Sequence, residues 1–83
     1  MIDSRVQQIA DHYGKRPQTL KAIEEMAELT QALLKGDSVH IAEEMADVEI
    51  MMEQLRYFHA NEAEIKIIRE QKIARQLARM EVK

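Results

Sequence analysis

The chain of 83 residues has no cysteine, no tryptophan, one proline and two glycines, and 4% of its residues are aromatic. Without cysteine, disulfides and thiolate metal sites are excluded. No apolar run reaches the length of a membrane-spanning helix, which argues against a membrane protein. The N-terminus also lacks a signal-peptide pattern, so we expect a cytoplasmic protein.

Hydrophobic residues make up 46% of the chain, and alanine, leucine, isoleucine, methionine and glutamate are frequent. These residues favour helices, and the scarcity of turn formers points the same way, so the composition predicts an all-α protein. A chain of this length forms a single domain, here residues 1–83, with a small core. Such a core is marginal without a metal or a partner chain.

The net charge is −3, which argues against nucleic acid as a partner because duplex binders carry a basic surplus. Residues 24–53 hold most of the acids, whereas the C-terminal segment is basic. This asymmetry fits the binding of a metal together with a polyphosphate, and it equally fits attraction between two halves of a helical bundle. The basic residues of that segment are Lys66, Arg69, Lys72, Arg75, Arg79 and Lys83.

The first two of four predicted helices are bounded by glycine and proline. The first helix covers about residues 2–13, starts near an aspartate or serine at positions 3–4, and ends at Gly14. Pro17 opens the second helix, at a position where proline is tolerated, and Gly36 ends it. The apolar residues that we expect this second helix to bury are Leu20, Ile23, Ala27, Leu33 and Leu34.

The third and fourth helices begin at polar capping residues. Asp37 or Ser38 caps the third, which continues to about His59. Asn61 precedes the fourth helix, and Glu64 three residues later completes a pattern like a capping box. Apolar residues lie all around the fourth helix, so we expect it to contact a partner chain as well as its own.

Two similar acidic motifs carry most of the functional information. The sequence EEMAE occupies residues 24–28 and EEMAD occupies residues 43–47. Acids three residues apart are neighbours on a helix surface, and the short connection between the two helices forces them antiparallel. Four carboxylates would then meet in the oxygen-rich geometry that Mg²⁺ prefers. These candidate ligands are Glu25, Glu28, Glu44 and Asp47.

The third helix places its acids beside an apolar seam, which the spacing predicts as Ile41, Met45, Val48, Met52 and Leu55. The two acids at positions 44 and 47 fall in a sector that also holds large apolar side chains. An unpaired charge there would be costly, so a cation or a basic partner is needed. The alternative is that these acids are simply solvated, as ionised side chains usually are.

With these motifs the chain resembles the MazG-like all-α nucleoside triphosphate pyrophosphohydrolases. Their pattern of EExxE on one helix and ExxD on the next matches residues 24–28 and 44–47, and a KxxR pattern on the last helix matches residues 72–75. The resemblance covers about residues 18–80. It implies a four-helix bundle completed by oligomerisation, as a homodimer or a tetramer.

The resemblance also implies an activity, the cleavage of a nucleoside triphosphate between its α and β phosphates. Mg²⁺, or Mn²⁺ in its place, would be held by the four candidate ligands, and Glu24 or Glu25 would accept a proton from the attacking water. Lys72 and Arg75, with Lys21, would hold phosphate oxygens. The alternative for the two residues of the fourth helix is that they complement its dipole.

Two other functions remain open on the sequence. One is a pyrophosphohydrolase of a different substrate, such as phosphoribosyl-ATP, whose family also uses paired acidic motifs on helices. The other is a non-catalytic helical protein whose acids bind a metal structurally or bind none. The three histidines have no metal-ligand spacing among them and are interpreted as surface residues near helix ends: His12, His40 and His59.

Overall fold

The structure is a computed structural model that describes residues 1–81, and every element in this range is helical. Four helices follow one another: α1 at Ser4–Tyr13, α2 at Lys15–Lys35, α3 at Ser38–His59 and α4 at Glu62–Glu81. The prediction of an all-α protein with four helices is therefore confirmed. The predicted Lys83 of the basic segment lies outside the described residues.

The helix ends follow the capping chemistry of the sequence. Asp3 accepts a hydrogen bond from the backbone N–H of Arg5 and caps α1. The side chain of Arg5 also donates to this carboxylate, and these bonds hold the pKa of Asp3 at about 2. Gly36 ends α2 with φ 75°, a left-handed conformation that favours glycine, and Asp37 caps α3.

Two predicted helix starts need correction. Helix α2 begins at Lys15, so Pro17 lies within its first turn. The N–H groups of a first turn have no acceptor inside the helix, so the N–H that proline lacks costs no intrahelical hydrogen bond. The side-chain oxygen of Asn61 is buried and accepts no hydrogen bond, so this residue does not cap α4 with its side chain. Its backbone carbonyl accepts from the N–H of Ile65 instead, as in an ordinary helix start.

Helices α1, α2 and α3 pack together, with α2 and α3 sharing the largest contact. The buried apolar residues are few and mostly small: Val6, Ala10, Ala22, Ala32 and Met51. The largest side chain with almost no exposure is polar, namely Gln54, and it accepts a 2.9 Å hydrogen bond from the side-chain amide of Gln18. The core is thus small and contains a buried polar pair between α2 and α3.

The face of α3 that turns toward the core coincides only in part with the predicted seam. Met45 and Met52 are 49% and 39% exposed, whereas Met51 is buried and Glu44 is only partly exposed. The seam residues that remain partly buried are Ile41, Val48 and Leu55. The buried side of α3 is therefore turned from the seam toward the sector that holds Glu44. This rotation places one acid against the neighbouring helix and leaves two methionines at the surface.

Helix α2 also buries a different face from the expected one. Its contact with the rest of the chain is made by Gln18, Ala22, Glu25 and Ala32. The large apolar residues that we expected inside are exposed by more than half of their surface: Leu20, Ile23, Leu33 and Leu34.

Helix α4 buries none of its residues and makes no substantial contact with α1, α2 or α3. Its larger apolar side chains face solvent over much of their surface, including Ile67 and Leu77. Within residues 1–81 no helix combines the length and the apolar character that crossing a membrane requires.

Candidate metal centre

The turn between α2 and α3 determines which acids can meet. Only Gly36 and Asp37 separate the two helices, so α2 and α3 must run antiparallel side by side. Glu28 lies about two turns before this connection and Glu44 lies about two turns after it. Residues at matching distances from a tight turn reach the same level, which is the register expected from the sequence.

Three acids come together at that level. Glu25, Glu28 and Glu44 each offer a carboxylate oxygen, and these oxygens all lie within 4.8 Å of one another. Glu25 is buried at 7% exposure, Glu44 is partly buried, and Glu28 is exposed. The trio, as we call these three residues, therefore has a closed inner side and an open outer side.

The inner side of the trio contains polar atoms without partners. The Oε2 atoms of Glu25 and Glu44 are buried, and neither accepts a hydrogen bond in the described part of the chain. A buried carboxylate oxygen left in this way costs free energy, and a cation would compensate it. Oxygen ligands are also those that Mg²⁺ takes in proteins, so the donor set fits this ion.

Each buried acid has one basic neighbour. Lys21 Nζ lies 3.2 Å from Oε1 of Glu25, one helical turn away, and His40 Nε2 lies 3.9 Å from Oε1 of Glu44. The hydrogen bond to Glu25 and the charge of Glu24 raise the pKa of Lys21. These two contacts involve the other oxygen of each carboxylate, so they leave both Oε2 atoms available.

Repulsion within the trio acts on its exposed member, Glu28. The negative charge of Glu25 raises the pKa of Glu28, with smaller contributions from burial and from the charge of Glu44. A carboxylate whose pKa is raised by neighbouring carboxylates is repelled by their negative charge. A divalent cation bound here would remove that repulsion.

Four other predicted site residues are not members of the trio. Glu24 and Asp47 are exposed, and neither belongs to the group of oxygens within 4.8 Å. Lys72 and Arg75 are neighbours on an exposed face of α4, where they border a surface depression with Ile68. The roles predicted for these four residues stay predictions.

Sequence reasoning missed three polar residues that border the trio. A cleft of about 320 Å³ opens beside Glu28 and Glu44, and its wall includes Gln31, Lys35 and His40. The signal was present in the spacing, because His40 precedes Glu44 by four residues and Lys35 follows Glu28 by seven. Both separations place the residues on one side of a helix.

Comparison with models of protein families, with characterised proteins and with solved structures finds no match to this chain. The assignment of a function therefore depends on the residues themselves and on the motifs described above.

Proposed function

We propose that this chain is a Mg²⁺-dependent nucleoside triphosphate pyrophosphohydrolase of the MazG-like kind. The observation that carries the proposal is the pair of buried Oε2 atoms on Glu25 and Glu44, which have no partner and lie in a trio with Glu28. Buried polar atoms are expected to have partners, and Lys21 and His40 approach only the other oxygen of each carboxylate, so a bound cation would satisfy the two Oε2 atoms.

Mg²⁺ bound to the trio would neutralise phosphate charge and lower the pKa of a water molecule. The chain then has to accept the proton of that water. Of the two candidate bases, Glu25 is buried and engaged with Lys21, whereas Glu24 is exposed on the same helix. We therefore assign proton acceptance to Glu24.

The reaction is a substitution at the α phosphorus. The water oxygen forms a bond to this phosphorus, and the bond from it to the α–β bridging oxygen breaks. Nucleoside monophosphate and pyrophosphate are the products, and the water proton goes to Glu24. The proposal has the water attack directly, without a covalent enzyme intermediate.

The test is an assay of pyrophosphate release from a panel of nucleoside triphosphates, with Mg²⁺ and with a chelator. We expect release that depends on Mg²⁺ in the wild type and is lost in Glu28→Gln. In ¹⁸O water the label should appear in the monophosphate. Release of orthophosphate with a diphosphate product would contradict the assignment, and so would the absence of any Mg²⁺ or Mn²⁺ binding by calorimetry.

We also propose that the active form is a homo-oligomer, a dimer or a tetramer. Two features support this: large apolar side chains of α2 are exposed, among them Leu20 and Leu34, and α4 buries no residue of its own. A second copy of the chain would cover surfaces of this kind. Sedimentation at micromolar concentration should show an oligomer, and a stable folded monomer would contradict the proposal.

A further inference from the structure

Acidic and basic side chains both line the cleft beside the trio: Glu28 and Glu44 are the acids, and Lys35 and His40 are the basic residues. On each helix the basic residue lies nearer to the turn that joins α2 to α3 than the acid does, and His40 Nε2 lies 3.9 Å from Glu44 Oε1. Along α2 the seven residues from Glu28 to Lys35 correspond to about 10 Å. We call the part of the cleft nearer to the turn its basic end.

Neither basic residue is fully used by the fold. Lys35 makes no ion pair with any of residues 1–81. His40 lies 3.9 Å from Glu44, which is longer than a hydrogen bond. The position of Lys35 in the last turn of α2 complements the helix dipole, but this does not account for His40, which lies in the first turn of α3.

We propose that Lys35 and His40 bind the terminal diphosphate of the substrate, the part that leaves as pyrophosphate. The inference rests on the proposed function, because it takes the trio as the site of Mg²⁺. A ligand that combines a divalent cation with a polyphosphate needs acids and bases side by side, and the cleft supplies both. Lysine and protonated histidine donate charge-assisted hydrogen bonds to phosphate oxygens.

This assignment gives the substrate a direction. The β and γ phosphates lie toward the connection between α2 and α3, and the nucleoside lies toward the opposite end of the trio, where Lys21 contacts Glu25. It also supplies cations within one chain, whereas Lys72 and Arg75 do not line this cleft.

The test uses calorimetry, so it needs no catalytic activity. Mg²⁺ is titrated first, and inorganic pyrophosphate is then titrated at saturating Mg²⁺, into the wild type, Lys35→Gln and Lys35→Arg. The matched control is Lys15→Gln, an exposed lysine at the other end of α2. His40→Gln is a second variant at the basic end.

We expect Lys35→Gln to weaken pyrophosphate binding about tenfold or more, the loss for one charge-assisted hydrogen bond. Mg²⁺ alone should bind unchanged or slightly tighter, because a nearby positive charge has been removed. Lys35→Arg should retain most of the affinity. His40→Gln should weaken pyrophosphate binding in the same sense, and Lys15→Gln should match the wild type.

Two results would overturn the inference while leaving the proposed function intact. One is pyrophosphate binding by Lys35→Gln equal to that of Lys15→Gln, and the other is an equal loss of Mg²⁺ and pyrophosphate, which indicates a structural effect. A wild-type protein that binds no Mg²⁺ overturns both the inference and the proposed function.

Discussion

Lys21 Nζ lies 3.2 Å from Oε1 of Glu25, so the most buried acid of the trio already has a cation on one of its two oxygens. The lysine side chain is half exposed, and the glutamate side chain is largely buried. The pair stabilises the metal-free protein, because a buried carboxylate without any partner is costly. The same lysine repels a metal that approaches the other oxygen.

The first prediction follows from this double effect. Lys21→Gln should unfold at lower denaturant concentration than the wild type when metal is absent, since Glu25 loses its counterion. It should also bind Mg²⁺ several-fold more tightly, since the competing charge is gone. Calorimetry and chemical denaturation with a chelator measure the two effects, and Lys15→Gln is the control. Weaker Mg²⁺ binding in Lys21→Gln would contradict this account.

The second prediction concerns pH. The raised pKa of Glu28 means that the folded protein holds this proton more tightly than the unfolded chain does, whose value is the usual 4.5. The free energy of unfolding of the metal-free protein should therefore fall as pH rises from about 4.5 through the raised value. Below pH 4.5 the destabilising contribution of Glu28 disappears, because its carboxyl group is protonated in both the folded and the unfolded state.

Glu28→Gln should remove this pH dependence and raise metal-free stability at pH 7. Denaturation at several pH values, with a chelator and at one protein concentration, measures the effect. Glu24→Gln is the matched control, since Glu24 contributes least among the causes that raise the pKa of Glu28. A Glu28→Gln variant with the same pH profile as the wild type would show that repulsion within the trio is negligible.

The third prediction ranks the acids of α3. Glu44→Gln should reduce Mg²⁺ affinity more than Asp47→Asn does, because Glu44 belongs to the trio and Asp47 is exposed outside it. As the fourth predicted ligand, Asp47 should still contribute, so its loss weakens binding without unfolding the helix. Calorimetric titration of both variants tests the order. A larger loss for Asp47→Asn would mean that the metal lies farther along α3.

The fourth prediction concerns the basic pair on α4. Arg75→Ala should raise KM or lower kcat without changing Mg²⁺ affinity. Since α4 makes no substantial contact with α2 or α3 of its own chain, we expect Arg75 to act on the trio of a second subunit. Mixing inactive Glu28→Gln with impaired Arg75→Ala should then restore activity in mixed oligomers. If the mixture shows no more activity than the two variants show separately, Arg75 does not act on the trio of a second subunit.

The fifth prediction concerns stability at the connection between α3 and α4. Ala60 has φ 51° and ψ 39°, a left-handed conformation that is strained for any residue with a Cβ. Ala60→Gly should raise the free energy of unfolding by about 0.5–1 kcal/mol. This net gain is what remains of the relieved strain after the larger entropy of glycine in the unfolded chain is subtracted. Thermal melts should show a higher Tm, whereas Ala63→Gly, inside α4, should show a lower one.

The sequence predicted the helix ends well because they depend on local chemistry. The left-handed conformation at Gly36 and the side-chain cap at Asp37 need only nearby residues, and both occur. The level at which Glu28 meets Glu44 followed from the short connection between the helices. Asn61 failed as a cap although its position favoured it, because its side-chain oxygen is buried without a donor.

Which face of each helix is buried could not be predicted in the same way. Helix α3 carries two adjacent apolar stripes. Periodicity alone does not tell which stripe packs against the rest of the chain and which, like Met45 and Met52, stays exposed. The pairing of Gln18 with Gln54 was also hidden, since a pattern of polar and apolar residues assigns glutamine to the surface. Only three-dimensional packing shows that the amide of Gln18 donates to the amide oxygen of Gln54.

The Gln18–Gln54 hydrogen bond also has a consequence for the trio. Small side chains such as Ala22 and Ala32 would allow α2 to slide along α3 with little steric penalty. A shift by one turn, about 5.4 Å, would carry Glu28 away from Glu44 and would also break the buried amide pair. The hydrogen bond thus favours the register in which the acids meet, since another register deprives Nε2 of Gln18 and Oε1 of Gln54 of this partner.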